Sequence, residues 1–299
     1  MAFADNNGVR LFFEETGTGT PIVFIHEFAD DYRSWNSQVH YFSRRYRCIT
    51  FNARGYPPSD VPDKPDQYSQ DLATDDIASV MHAASIEKAH VVGISMGGFA
   101  ALHFGLRYPS MAKSLTVAAC GYGAAYDQRE QYAADSEMLA AVYDRIGAAK
   151  MADMYADGAY RQQFKEKDPL GWMEFRDTLA EHSGKGSALT MRGVQKVRPS
   201  LYDLAVGLKK MKTPTLVISG DEDDWCLEPA LYLKRTIPSS GLWIVPKTGH
   251  TINLEEPDRF NSVLAEFFSM VEAGRWKEKT AYAGASALLS GLQKNDEGG

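Results

Sequence analysis

The chain has 299 residues, of which 44% are hydrophobic, and it carries a formal net charge of −7. This length and apolar content suit one large domain with a substantial core, together with an insert. The acidic balance excludes the basic surface that nucleic-acid binding requires. The three cysteines, Cys48, Cys120 and Cys226, form neither a disulfide framework nor a C-x-x-C pair, so no disulfide-rich secreted domain and no zinc or redox motif is predicted.

The N-terminal segment gives no targeting signal. Residues 1–8 lack the charged region and the apolar stretch that make a signal peptide. Nowhere does an apolar run approach the ~20 residues of a membrane span. We therefore expect a cytoplasmic protein without a membrane span.

Strand-like and helix-like runs alternate along most of the chain. In chain order, the patterns predict strand 9–14, a Gly-rich turn at 17–19, strand 21–25, a helix containing Trp35 and Val39, strand 46–52, helix 71–84, strand 89–93, helix 96–108, strand 114–119, strand 214–219, strand 242–246 and helix 257–271. This alternation is typical of the α/β class, in which helices cover both faces of a mostly parallel sheet.

The turn after strand 89–93 carries a candidate nucleophile. Ser95 stands between Gly93 and Gly97, where an apolar strand meets a helix. A sharp turn of this kind holds a serine hydroxyl above the sheet, and side chains at the two glycine positions would collide. Because G-x-S-x-G also occurs by chance, the assignment depends on this setting and on suitable partners downstream.

Two later strands end in the residue types that such a serine needs. Strand 214–219 runs into Gly220 and four carboxylates at 221–224, and strand 242–246 is followed by Gly249 and His250. An imidazole can take the serine proton and return it to the leaving group, and a carboxylate behind it fixes its tautomer. We therefore interpret Ser95 as the nucleophile and His250 as the general base and acid.

With this serine–acid–histidine order, the chain resembles the α/β-hydrolase superfamily from about residue 8 to residue 272. Members carry a Gly-x-x-Asp turn after the penultimate core strand, and residues 220–223 fit it. The resemblance therefore selects Asp223 as the orienting acid and leaves its neighbours as a solvated acidic loop. It also implies an oxyanion hole formed by the backbone N–H groups of Phe28 and Met96.

The loop after strand 21–25 departs from the family pattern, because Glu27 stands where relatives usually have glycine. We expect the Glu27 side chain to point away from the site and to pack among loop donors such as Arg54. The alternative is a carboxylate near the pocket mouth that changes the substrate's preferred charge. Residues 53–60 resemble the family's Arg-Gly-x-Gly-x-Ser loop, which implies structural roles for Arg54 and Ser59.

Helical patterns rich in Ala, Met and aromatic residues replace the strand patterns between 122 and 209. The resemblance implies an α/β-hydrolase core at 1–121 and 210–273, with an inserted helical cap at 122–209. Methionine and aromatic side chains suit an adaptable binding wall. Residues 274–299 form a C-terminal extension, with a short helix predicted at 285–292. The sequence leaves open whether the extension contacts the body or a second subunit in a homodimer.

These residues predict a serine hydrolase that cleaves carboxylic esters of small molecules through an acyl-enzyme intermediate, without a metal or an organic cofactor. Lactone or enol-lactone hydrolysis stays open, because it needs no additional catalytic residue, and so does a cofactor-free perhydrolase. Ser95 argues against haloalkane dehalogenases and epoxide hydrolases, which need a carboxylate at this position. A non-enzymatic small-molecule receptor on the same fold is the alternative from a different class.

Overall fold

The computed structural model describes residues 2–279. The strands of its central sheet are β1 (Ala2–Asn6), β2 (Val9–Thr16), β3 (Thr20–Ile25), β4 (Tyr46–Phe51), β5 (Ala89–Ile94), β6 (Ala112–Ala118), β7 (Thr215–Gly220) and β8 (Ser240–Val245). They lie in the order β1-β2-β4-β3-β5-β6-β7-β8. Only the pairings of β2 with β1 and with β4 are antiparallel. This confirms the predicted mostly parallel sheet.

The helices are α1 (Asn36–Phe42), α2 (Gln70–Ala83), α3 (Met96–Arg107), α4 (Arg129–Ala156), α5 (Gln162–Lys167), α6 (Pro169–Ala180), α7 (Gly184–Thr190), α8 (Ala205–Leu208), α9 (Asp224–Thr236), α10 (Ile252–Glu255) and α11 (Pro257–Glu272). A π-helical turn, Met191–Gln195, follows α7 directly. Helix α4 is kinked at Gly147, whose φ of 75° lies in the left-handed region.

The sheet is covered by helices on both faces, as predicted. Successive residues of β3 point to opposite faces, because strand side chains alternate. Val23 and Ile25 join the apolar core formed with α2, α3 and α9. Ile22 and Phe24 join a second core formed with α1 and α11. The sheet is therefore buried on both sides, which explains why its central strands read as continuous apolar runs.

The first strand, β1, was missed by the sequence analysis. It forms a hairpin with β2 in which Asn6 pairs with Val9. The two loop residues, Asn7 and Gly8, have φ values of 55° and 83°. Asn-Gly is the favoured sequence for a two-residue hairpin turn with positive φ, so a usable local signal was present.

The carboxyl ends of the parallel strands bring four loops to one edge of the sheet. These loops follow β3, β5, β7 and β8, and they hold residues 26–31, 95, 221–223 and 246–250. Because parallel strands all end at the same edge, residues far apart in the chain meet there. This edge is where every predicted catalytic residue lies.

The segment 122–209, called the insert below, contains helices α4 to α8 and no strand. Its apolar side chains form a third buried cluster, which includes Tyr143, Met151 and Phe164. Phe28 and Met96, from the carboxyl edge of the sheet, belong to the same cluster. The insert therefore packs directly against the loops at that edge.

The described part of the C-terminal extension packs on the body of the chain. The indole N–H of Trp276 donates a 2.7 Å hydrogen bond to the backbone carbonyl of Ser239. The Trp276 ring also lies 4.6 Å, between centroids, from that of Phe267 in α11. The helix predicted at 285–292 lies outside the described residues.

Candidate active site

Ser95 occupies a strained turn between β5 and α3, with φ of 53° and ψ of −116°. A Cβ at Gly93 would lie 2.0 Å from the carbonyl oxygen of Gly97, and one at Gly97 would lie 2.2 Å from that of Ile25. Both distances are far inside van der Waals contact, so glycine is required at these two positions for steric reasons. The tightly packed backbone around Ser95 thereby holds the serine in an unfavourable conformation. Backbone strain of this kind is common at functional sites.

His250 and Asp223 form a buried pair at the ends of neighbouring strands. His250 Nδ1 lies 2.7 Å from Asp223 Oδ2. Burial opposes ionisation of Asp223, but the adjacent His250 holds the pKa of this carboxyl below its ordinary value. Burial also acts against the charged imidazole, yet the charge and hydrogen bond of Asp223 raise the pKa of His250. With Nδ1–H donated to the carboxylate, Nε2 is the nitrogen that can accept a proton.

The same pair lies beside Cys226, and these three residues are the candidates for holding a metal ion. One ligand atom from each of Asp223, Cys226 and His250 lies within 4.8 Å of the others. Burial, reinforced by the Asp223 charge, raises the pKa of the Cys226 thiol well above its ordinary value, so the thiolate that a metal needs is disfavoured. The arrangement fits an acid–base pair with a neighbouring thiol better than a metal centre.

The predicted oxyanion donors come from the loop after β3 and from the first turn of α3. Among residues 2–279, the backbone N–H groups of Phe28 and Met96 have no protein acceptor. The hydroxyl of Tyr56 donates a 2.7 Å hydrogen bond to the Phe28 carbonyl and so fixes the orientation of that peptide. Met96 begins α3, so its N–H also lies at the positive end of the helix dipole. Two unused donors at this position can stabilise negative charge.

His26 fastens the loop that carries Phe28. Its Nδ1–H donates to the Glu27 carbonyl at 2.6 Å, and its Nε2 accepts from the Ala53 N–H at 3.0 Å. Burial lowers the pKa of His26, which agrees with the neutral tautomer that these two bonds require. His26 therefore positions the loop and is not available for proton transfer.

The sequence analysis named the wrong partner for the Glu27 side chain, which makes no ion pair with Arg54. Its side chain is 2% exposed and pairs with Arg161 of the insert, which is 1% exposed. Arg54 instead makes two hydrogen bonds to Asp76, of 2.7 and 2.6 Å. Because Asp76 already occupies its guanidinium, Arg54 cannot also serve Glu27. Arg54 thus has the structural role that was expected for it. No local sequence signal links Glu27 to a residue of the insert.

A cavity of about 330 Å³ lies between the carboxyl edge and the insert, and Ser95, His250 and Phe28 form part of its wall. The Ser95 hydroxyl makes no hydrogen bond to the His250 imidazole in this conformation, in which Nδ1 of His250 contacts Asp223. In enzymes without bound substrate, such catalytic hydrogen bonds are often long and shorten only when the substrate binds. The insert supplies most of the remaining wall, and the sequence analysis identified none of these positions. They include Tyr132, Leu139, Met151, Tyr155, Arg161 and Met191. The volume suits a small organic molecule.

Within residues 2–279, none of the helices combines the length and the apolar character that crossing a bilayer would require.

An elbow serine, a buried acid–histidine pair and unused backbone donors at one sheet edge are features of hydrolases with this architecture. Residues 22–263 match the profile of the alpha/beta hydrolase family, and the chain belongs to that family. This confirms the resemblance seen in the sequence.

Individual relatives span most of the chain. It is 28% identical over 271 residues to the AB hydrolase superfamily protein YisY of Bacillus subtilis, covering 87% of this chain and 95% of that protein. It is 27% identical over 255 residues to 3-oxoadipate enol-lactonase 1 of Acinetobacter baylyi, covering 84% and 89%. A thermophilic esterase from Thermogutta terrifontis superposes with a TM-score of 0.78 at 24% identity, over 90% of this chain and 98% of that one.

The esterase likeness concerns the fold alone. Because the family's members include enol-lactonases and epoxide hydrolases, membership by itself leaves the substrate class open.

Proposed function

We propose that the protein is a serine hydrolase that cleaves carboxylic esters of small molecules through an acyl-enzyme intermediate. The observation that carries this proposal is the cavity whose wall contains both Ser95 and His250, with His250 bonded to the buried Asp223. In this proposal Ser95 is the nucleophile, His250 is its base and Asp223 orients the base, and the cavity is large enough for a small substrate.

In the proposed first step, the Ser95 oxygen attacks the ester carbonyl while its proton passes to His250 Nε2. The Asp223 carboxylate stabilises the imidazolium, and the Phe28 and Met96 N–H groups bind the oxyanion. Each such donor is worth about 10²–10³ in rate. The carbon–oxygen bond then breaks, and the departing alkoxide takes the proton from His250.

In the second step, a water molecule gives its proton to His250 and attacks the acyl-enzyme. The intermediate collapses, the carboxylic acid leaves, and Ser95 regains its proton. Every proton is thus passed between Ser95, His250, the substrate and water, and no step changes an oxidation state, so the cycle needs no oxidant or reductant.

Lactone hydrolysis is the second candidate, since a lactone is a cyclic ester whose leaving alkoxide stays attached to the acyl group. The relative that favours it is the enol-lactonase of Acinetobacter baylyi, at 27% identity. We also propose that the chain divides into a core at 1–121 and 210–273 and a cap at 122–209. The position of every described strand outside residues 122–209, and the separate buried cluster that most apolar side chains of this segment form, support this division.

The test is labelling of the purified protein with a fluorophosphonate probe, together with assays on short-chain 4-nitrophenyl esters and on lactones. We expect labelling and hydrolysis in the wild type and in Ser262→Ala, an exposed serine on α11. Ser95→Ala should show neither. A wild type that binds a small ligand in the cavity but is neither labelled nor active would instead support a receptor. Labelling that persists in Ser95→Ala would refute the assignment of the nucleophile.

A further inference from the structure

In the described part of the chain, the cavity wall contains two buried arginines, and only one of them has a counter-ion. Arg161 pairs with Glu27. Arg198, which is 3% exposed and lines the same cavity as Ser95, has no carboxylate within 4.0 Å of its guanidinium among residues 2–279. A buried charge without a partner is expensive, so an uncompensated arginine in a binding cavity calls for an explanation.

The groups that contact the Arg198 guanidinium are all uncharged. Its Nη1 donates to the side-chain oxygen of Gln195, and its Nη2 donates to the Tyr122 carbonyl at 2.7 Å. The guanidinium carbon lies 3.7 Å from the centroid of the Phe99 ring. These contacts hold the side chain in place and supply part of its lost hydration, because an aromatic face attracts a cation. None of them neutralises the charge, and Nε has no hydrogen-bond partner in the described part of the chain.

The other charged groups nearby do not fill this role. Arg129 donates a 2.6 Å hydrogen bond to the Arg198 carbonyl, so it adds positive charge. Asp135 is in the cavity wall, but neither of its carboxylate oxygens lies within 4.0 Å of an Arg198 guanidinium nitrogen. Asp223 is engaged by His250. The missing negative charge can therefore come from the molecule that occupies the cavity.

We propose that the substrate is a small carboxylic ester or lactone that carries its own carboxylate, which pairs with Arg198 while Ser95 attacks the ester carbonyl. This rests on the proposed serine hydrolase function and specifies its substrate class. The carboxylate binds and orients the substrate and stays unchanged during the reaction. A guanidinium suits it, because charge-assisted hydrogen bonds to a carboxylate are shorter and stronger than neutral ones.

The test compares two activated esters of equal shape. The 4-nitrophenyl monoester of glutaric acid carries a carboxylate where 4-nitrophenyl 5-methylhexanoate carries an isopropyl group. In the wild type we expect kcat/KM to be about 10- to 100-fold higher for the anionic ester, as one charge-assisted contact allows. Arg198→Met should abolish that preference, because kcat/KM should fall more for the anionic ester than for the neutral one. Arg198→Lys should retain part of the preference.

Arg192→Met is the matched control, since it removes an arginine of the insert that pairs with Glu137 and Asp144 and does not line the cavity. It should keep the preference for the anionic ester. Arg198 also makes hydrogen bonds to neighbouring groups, so its variants can fail to fold. A measurement on the wild type alone is therefore included. Glutarate should inhibit hydrolysis of the neutral ester at least about tenfold better than glutaramide.

The outcomes separate the two proposals. If the wild type hydrolyses both esters equally and glutarate inhibits no better than glutaramide, the carboxylate-bearing substrate is refuted and the serine hydrolase stands. A preference that survives unchanged in a folded Arg198→Met would refute the role of Arg198. If the wild type hydrolyses neither ester and does not react with the fluorophosphonate, the proposed function fails and this inference fails with it.

Discussion

Replacing Arg161 by methionine should destabilise the protein by about 3–5 kcal/mol, because it leaves the Glu27 charge buried without its partner. Glu27 is 2% exposed and belongs to the loop of the sheet edge, whereas Arg161 comes from the insert. The pair therefore joins the two parts of the chain beside Phe28. A loss of this size is a large fraction of the total stability of about 5–15 kcal/mol that is typical of folded proteins.

The magnitude follows from what the substitution removes and what it leaves behind. Of the three guanidinium nitrogens of Arg161, Nε and Nη1 have no hydrogen-bond partner among the residues that the structure describes. The variant therefore loses only the bond from Nη2 to Glu27. Methionine can keep much of the packing against Phe175, whose ring centroid lies 5.0 Å from the Arg161 guanidinium. Most of the cost must then come from the stranded carboxylate. Neighbouring Asp30 cannot replace the guanidinium, because a carboxyl group carries no positive charge in either protonation state.

The assay is urea unfolding followed by tryptophan fluorescence at pH 7.5, with the free energy of unfolding compared between variants. The double variant Glu27→Leu/Arg161→Met removes both charges, so it should recover at least half of the loss. Arg192→Met, which breaks a partly exposed pair with Glu137, should cost far less than Arg161→Met. If Arg161→Met lies within about 1 kcal/mol of the wild type, or if the double variant is no more stable than the single one, the reasoning from a stranded charge is wrong.

Two further predictions concern catalysis and the elbow. Protonated His250 cannot accept the serine proton, so kcat/KM should fall as the pH drops through the His250 pKa, which Asp223 raises above 6.5. Asp223→Asn should lower kcat about 10⁴-fold and move this acid limb to lower pH, because burial alone disfavours the imidazolium; an unmoved limb would contradict the pairing. Gly97→Ala should prevent labelling by a fluorophosphonate and lower the thermal midpoint, since its Cβ would meet the Ile25 carbonyl oxygen at 2.2 Å. Gly207→Ala, whose Cβ would meet a movable Leu106 methyl at 3.0 Å, is its control and should behave like the wild type.

The sheet and the candidate triad could be predicted because their signals are local. Each core strand is a short apolar run, and a glycine follows or ends the strands that precede Asp223 and His250. Because parallel strands all end at the same edge of the sheet, the strand pattern also predicts that these ends lie close together, whatever side chains they carry. The 2.7 Å contact between His250 and Asp223 joins two such strand ends, although the family resemblance was needed to select Asp223 among four neighbouring carboxylates. The missed strand β1 was within reach of the same reasoning, through its Asn7-Gly8 turn.

The wall of the cavity could not be predicted in this way. Glu27 and Arg161 are 134 residues apart, and neither lies in a pattern that specifies the other. Helical periodicity predicts which face of a helix is buried, but it does not predict which surface that face meets. In the insert, the course of the chain also depends on single backbone events such as the kink at Gly147 in α4. The residues proposed for catalysis therefore follow strand ends that the sequence reveals. The cavity wall, including the arginine proposed to bind the substrate, depends instead on how the helices of the insert pack onto that edge.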